Sequence, residues 1–120
     1  MSISNYAENA FLNTLRGSSY SSAGTYIKLH TGDAGEDGTA NAAANTTRQS
    51  VTFSAASGGS MASSSTATWT NVPNTETYSH WSMWDASTAG NCLWTGAFST
   101  SASVVAGDTF QITSLTLTLD

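Results

Sequence analysis

The feature that most constrains the fold is a series of short segments in which apolar and polar residues alternate. In the first of these, Thr25, Ile27 and Leu29 alternate with more polar neighbours, and a period of two is typical of a half-buried β-strand. Gly, Asn, Pro or Ser residues that favour turns separate the segments. Closely spaced strands without helices between them predict an antiparallel β-sandwich, jelly-roll-like in form, and argue against a parallel sheet. The further predicted strands are residues 49–54, 66–72, 77–85, 92–98, 103–105 and 109–119.

One segment that precedes the strands has helical periodicity. In residues 5–16 apolar side chains recur at steps of four, Asn5 and Glu8 have the spacing of a capping box, and Gly17 suits the position after the C-cap. A helix this short is only marginally stable by itself, so we expect it to dock on another surface or to lie in an interface. The side chains predicted to form its docking face are Phe11, Leu12 and Leu15.

The pattern also predicts the core and one irregularity. In the last strand Phe110 and Ile112 have even parity, while Leu115, Leu117 and Leu119 have odd parity. We therefore expect a bulge or bend near residues 113–114. The residues expected on the core face are Ile27, Leu29, Val51, Phe53, Leu93 and Leu117.

The length and the distribution of residues predict one domain that spans residues 1–120. A chain of 120 residues can bury enough surface for a single core, and we find no linker. Residues 31–47 are rich in Gly, Ala and Asn, hold three of the eight acidic residues and show no periodicity. We therefore expect a long acidic loop there.

The composition excludes several kinds of partner. Charged residues make up 9% of the chain, against about 25% in an average protein, so hydroxyl groups must cover much of the surface. The net charge of −5, with three cationic side chains, argues against binding to nucleic acid.

The lone Cys92 cannot form an internal disulfide. No basic start or long apolar run indicates a signal peptide or a membrane span.

The acidic loop is the one segment that invites a metal-binding interpretation. Residues 33–38 combine three carboxylates with glycine, and Ca²⁺ prefers carboxylate oxygens on flexible loops. The EF-hand pattern fails, because its third position is Gly35 and its twelfth is Ala44. We therefore predict a solvated turn without a metal, with an irregular cation site as the alternative.

No pattern of nucleophiles and bases indicates catalysis. No two of His30, His80 and Cys92 lie at a short metal-binding spacing. Residues 58–62 weakly resemble a nucleophile elbow around Ser60, but a Gly-Gly turn is the simpler interpretation. We predict that the chain is not an enzyme and has no cofactor and no small-molecule substrate. A hydrolase that uses Ser60 and His80 is the weaker alternative.

Five large aromatic side chains lie within the predicted strands. Trp81 and Trp84 are three positions apart, so they should point to opposite faces of one strand. Large aromatic residues are common both in cores and in interfaces. We predict packing in the core or in a subunit interface, with a glycan-stacking face as the alternative. The residues are Trp69, Tyr78, Trp81, Trp84 and Trp94.

A further signal is the order in which several motifs follow the N-terminal helix. The motifs are Tyr26–Asp33, Arg48–Phe53, His80–Ala86, Gly90–Phe98, Ala106–Phe110 and Leu115–Asp120. Their order resembles a family of small virion proteins of tailed phages, often labelled tail-fibre-like or minor structural proteins. The sequence departs from the pattern of that family at Ala34 and Ser114, both in predicted turns.

The resemblance implies a structural protein of the virion, on the head or on the tail. With no fibre repeat and no coiled coil in the sequence, we predict a capsid decoration (cement) protein on the head surface that bridges capsid subunits. Its expected partners are the major capsid protein and further copies of itself in a homotrimer, where several linked contacts raise avidity. The alternative is a tail-fibre or receptor-binding module that contacts host glycans.

Overall fold

The computed structural model describes residues 2–119. Within them the chain is mainly β, its strands pair antiparallel, and one short helix lies near the N-terminus, which confirms the predicted fold class. The arrangement is consistent with a jelly roll. The elements are β1 (Ser2–Ile3), α1 (Asn5–Leu15), β2 (Tyr26–His30), β3 (Gln49–Ser50), β4 (Ser60–Ala62), β5 (Ala67–Trp69), β6 (Glu76–Trp84), β7 (Cys92–Val104), β8 (Phe110–Ile112) and β9 (Thr116–Thr118).

The larger layer is a five-stranded sheet in the order β1-β7-β6-β2-β3. Its two long strands, β6 and β7, form a hairpin, and the predicted strands 92–98 and 103–105 are parts of the single strand β7. The pairing of β6 with β7 shifts between His80↔Ala97 and Tyr78↔Ala102. Four residues of β7, 98–101, therefore lie opposite Ser79 alone. This bulge explains why the alternation in the sequence is lost midway along the strand.

The smaller layer consists of β4 paired with β9 and β5 paired with β8. Residues 51–54 connect the layers, because the Val51 N–H donates to the Thr25 carbonyl (3.0 Å) and the Ser54 N–H donates to the Ala62 carbonyl (3.0 Å). The backbone pairing is thus nearly continuous from β1 and β7 around to β8 and β9, and the sheet folds over its own core. β1 and β4 were not predicted, because strands of two or three residues are too short to show a period.

The predicted change of phase in the last strand is confirmed. Ile112, Leu115 and Leu117 are all buried, although their parity differs. The register runs from Ala67↔Ile112 to Ala62↔Thr116, so four residues (63–66) lie opposite three (113–115). The extra residue therefore belongs to the serine-rich segment that faces the predicted bulge position.

The core lies between the two layers. Five of the six residues predicted for it are buried, and Phe53 is half-buried and packs against it. The side chains that form its centre include Ile27, Leu29, Val51, Trp69, Val72, Tyr78, Trp81, Leu93 and Leu117.

Helix α1 ends as predicted but begins one residue earlier than the capping pattern suggested. The N-cap is Ser4, not Asn5, and its hydroxyl accepts a hydrogen bond from the Ala7 N–H (3.1 Å). At the other end Gly17 has a φ of +99° and the Ser18 N–H donates to the Asn13 carbonyl (3.0 Å). This is the Schellman arrangement that favours glycine. In the described residues no helix is long and apolar enough to cross a membrane.

The acidic loop packs partly on the outer face of the large sheet. The carboxylates of Glu36 and Asp37 are exposed, which agrees with the predicted solvated turn, but Ala34 is buried and Ala43 belongs to the core. The Glu76 carboxylate accepts hydrogen bonds from the backbone N–H groups of residues 44 (2.9 Å) and 45 (3.1 Å) and so holds the end of the loop. As a result, residues 81–84 of β6 are covered on both faces.

Candidate functional site

The five aromatic residues singled out in the sequence lie in the interior. Each is at most 7% exposed, so none presents a ring face on which a sugar could stack, and little area is left for a subunit contact. The glycan-stacking alternative therefore does not fit these side chains, because the second layer and the acidic loop cover them. The residues are Trp69, Tyr78, Trp81, Trp84 and Trp94.

These aromatic residues do not form one group. Trp69 and Tyr78 pack around Phe110, with ring centres 5.8 Å and 5.1 Å from it. Trp81 and Trp94 belong to the same core, whereas Trp84 lies outside that cluster. The sequence-based expectation that Trp81 and Trp84 point to opposite faces agrees with this separation.

Trp84 belongs to a buried hydrogen-bond network that connects the large sheet with the acidic loop. Its indole N–H donates to the Ser82 hydroxyl (2.7 Å), which lies 2.7 Å from His30 Nε2. His30 Nδ1 lies 2.8 Å from the Ala40 carbonyl. Since a carbonyl only accepts, Nδ1 carries the proton and Nε2 accepts from the Ser82 O–H. Every polar atom of this network has a partner, so the network stabilises the position of the loop.

Arg48 covers one face of Trp84 and stabilises the turn of the β6–β7 hairpin. Its guanidinium carbon lies 4.1 Å from the centre of the indole ring, which is within the range of a cation–π contact. The Arg48 Nη1 donates to the carbonyls of Ala86 (2.9 Å) and Ala89 (2.7 Å). The guanidinium therefore holds the hairpin turn through contacts within the chain.

His30 should make the stability of the protein dependent on pH. Burial is the main cause that lowers the pKa of His30 below 6.5, its ordinary value, although the hydrogen bond to Ala40 opposes the shift. The unfolded chain takes up this proton near pH 6.5 and the folded chain only at lower pH. We therefore expect full stability above pH 6.5 and a urea midpoint that falls as the pH is lowered below 6.5. The His30→Asn variant should be less stable at pH 7 but lose less on acidification, and an equal acid-induced loss would contradict the assignment.

Of the side chains considered for catalysis, Cys92 and His30 are buried and His80 contacts the serine next to it. Burial raises the pKa of Cys92 to about 11, so its thiol stays protonated at neutral pH and is a poor nucleophile. His30 and Ser82 are hydrogen-bonded to each other but completely buried. His80 contacts the hydroxyl of Ser79 (2.8 Å). Within residues 2–119 no cluster of three or more His, Cys, Asp or Glu side chains could hold a metal ion.

An apolar patch is exposed on helix α1 and the end of the chain next to it. Leu15 is 86% exposed, and Leu12 and Leu119 are more than half exposed. Together with Phe11, Ile3 and the acidic Glu8 these residues line a shallow groove of about 590 Å³. We call Phe11, Leu12, Leu15 and Leu119 the apolar helix patch. It contains all three predicted docking residues, and exposed apolar patches commonly mark contact surfaces.

A second feature is a cleft of about 380 Å³ on the open side of the folded sheet, which we call the lateral cleft. One wall is the bulge of β7, residues 97–100, and the other is the last strand, residues 110–116. Trp81 also lines it. The sequence analysis missed this cleft, because residues far apart in the chain form it. Trp81 packs closely on Gly96, its partner on β7, since a Cβ at Gly96 would lie 2.5 Å from the Trp81 ring.

Comparison with protein-family models places this chain among the structural proteins of tailed-phage virions. The matching model is described as podophage GP4 fiber I protein gp80 and covers residues 2–120, so the chain belongs to this family. A comparison with curated proteins found no match. The family match agrees with the resemblance seen in the sequence. Between the two virion locations considered, it favours the fibre over capsid decoration.

Proposed function

We propose that the chain is a non-enzymatic component of a podophage tail fibre and that it works through contacts with other proteins and with the host surface. The observation that carries the proposal is the match to a fibre family over residues 2–120. The capsid decoration hypothesis predicted from the sequence has no comparable support. The sealed His30–Ser82 pair and the protonated thiol of Cys92 support a role without catalysis.

The surface that we propose for assembly is the apolar helix patch, and the occupant that we propose is another copy of the chain. Leu12 and Leu15 expose apolar area that an isolated subunit would leave in water. A patch that contacts the same patch on a second copy forms a twofold dimer, whereas the homotrimer expected from the sequence requires the patch to contact a different surface of the next copy. The net charge of −5 makes copies repel one another at a distance, so apolar area has to supply the attraction at short range.

The position of the protein in the virion tests the proposal. We expect gold-labelled antibodies against the chain to mark the tail fibres of intact phage particles, and particles that lack the chain to resist heat normally but adsorb poorly. A fibre component contributes nothing to head strength but is needed for contact with the host. Label on the head, with normal adsorption and early release of DNA on heating, would contradict the fibre role and support capsid decoration.

A further inference from the structure

We propose that two copies of the chain associate through helix α1, which packs antiparallel against α1 of the other copy, with ion pairs between Glu8 of each copy and Arg16 of the other. This inference rests on the proposed fibre role, in which the apolar helix patch contacts a second copy. It adds the symmetry of that contact and the charged residues that define it.

Helix α1 carries one charge near each end. Glu8 lies in its first turn and Arg16 is its C-cap; both side chains are exposed, and no other residue among 1–24 is charged. At a rise of about 1.5 Å per residue they are about 12 Å apart along the axis. Side chains more than two turns apart do not face each other on one helix, so each charge is available to a second copy.

The apolar residues lie between and beside these charges. Leu12 is midway between Glu8 and Arg16 in the sequence, and Leu12 and Leu15 are both more than half exposed. Glu8 lines the same groove of about 590 Å³ as these leucines, so acid and apolar side chains form one continuous surface. The leucines of a second copy can pack into this groove, and burial of their apolar area favours association.

An antiparallel arrangement places each charge opposite its counterpart. A twofold axis beside Leu12 brings Leu12 of the two copies together and sets residue 8 of each copy opposite residue 16 of the other. Two Glu8–Arg16 pairs then form, one at each end of the contact. Apolar burial supplies the attraction against the repulsion of two chains of net charge −5, and the charged pairs fix the direction of the helices.

A threefold arrangement does not use the charges in this way. If three copies of α1 pack around a common axis that runs along the helices, they all run in the same direction. Glu8 then lies level with Glu8 of its neighbours, and like charges at one level repel. The charge pattern therefore favours the twofold contact.

The occupant is a second copy because one surface supplies both halves of each ion pair. A different protein of the virion would need an acid and a base of its own at the matching spacing, with apolar side chains between them. A second copy presents that set by symmetry. If a different protein covers the patch instead, the isolated chain stays monomeric.

Charge reversal, followed by analytical ultracentrifugation of the full chain, tests the contact. One short helix from each copy makes a small interface, so we expect a weak monomer–dimer equilibrium as the protein concentration approaches the millimolar range. Glu8→Arg and Arg16→Glu should each weaken the dimer by roughly 10-fold, because two favourable pairs become two repulsive ones. Glu8→Arg also replaces a negative with a positive charge, and weaker general repulsion would by itself tighten the dimer.

Two further measurements restore the pairs. The double variant, Glu8→Arg with Arg16→Glu, keeps the net charge of −5 and should dimerise like the original protein. An equimolar mixture of the two single variants should form a heterodimer, because each chain then meets opposite charges at both ends. Circular dichroism shows separately whether either substitution weakens the helix.

The inference is overturned if the original protein stays monomeric in the millimolar range, if it forms a trimer, or if the single reversals leave the dimer unchanged. It is also overturned if neither the double variant nor the mixture restores the dimer. None of these results bears on the fibre role, which the labelling of virions tests independently. Label on the head would contradict that role without altering the association measured in solution.

Discussion

The Trp69→Ala variant is expected to lower the free energy of unfolding by about 3–5 kcal/mol. Trp69 is buried on β5 and packs against Phe110, with ring centres 5.8 Å apart. Truncation would leave a cavity between the layers, and the surrounding strands can close it only partly. Denaturation in urea, followed by circular dichroism, measures the loss. A midpoint equal to that of the original protein would show that Trp69 does not pack as described.

A more conservative change at the same position separates packing from hydrogen bonding. The Trp69 N–H donates to the Thr47 carbonyl (2.8 Å), and Trp69→Phe removes that hydrogen bond while keeping an aromatic ring. We expect Trp69→Phe to lower the free energy of unfolding by about 1–3 kcal/mol, because the Thr47 carbonyl loses its donor. This loss is smaller than the one expected for Trp69→Ala. Leu119→Ala serves as the control for general effects of truncation, because Leu119 is more than half exposed.

The double variant Leu12→Glu with Leu15→Glu is expected to fold normally and to be excluded from the tail fibre. Both side chains are exposed on α1, so the substitutions remove no core contact. Burying two new carboxylates in a contact between copies would cost several kcal/mol. Complementation of phage that lack the chain, followed by labelling of the purified particles, measures incorporation. Light scattering of the isolated protein reports its oligomeric state.

A matched control adds the same charge elsewhere on the same helix. Asn9 and Asn13 are exposed on α1 and lie outside the apolar helix patch, so Asn9→Glu with Asn13→Glu should leave assembly intact. If both double variants enter the fibre equally well, the patch is not the assembly surface. If both are excluded, added negative charge is the cause and not the loss of apolar area.

Much of the fold was predictable because it depends on local periodicity. Ile27 and Leu29 are buried as their alternation indicates, and the parity of residues 110–117 predicted a real irregularity between β8 and β9. Gly17 ends the helix because its positive φ is a local requirement. In contrast, β7 was predicted as two strands, since a bulge breaks the period without ending the strand.

The candidate sites were less predictable, because they depend on what covers each face. Parity placed Trp81 and Trp84 on opposite sides of β6 but could not show that the acidic loop packs over Trp84 and removes it from solvent. The sequence predicted Phe11, Leu12 and Leu15 as a docking face but could not show whether the sheet buries them. In the structure Leu15 is left exposed.

The sequence by itself determined the class of fold, the faces of the strands, the family and the scarcity of charge, because each of these depends on residue type and short spacing. Only the tertiary structure decided that the aromatic residues are buried, that His30 bonds to Ser82 across 52 positions of the chain, and that a cleft opens beside Trp81. These features arise where segments such as residues 97–100 and 110–116 meet. Their proximity is set by how the sheet folds over its core, and no local pattern in the chain encodes it.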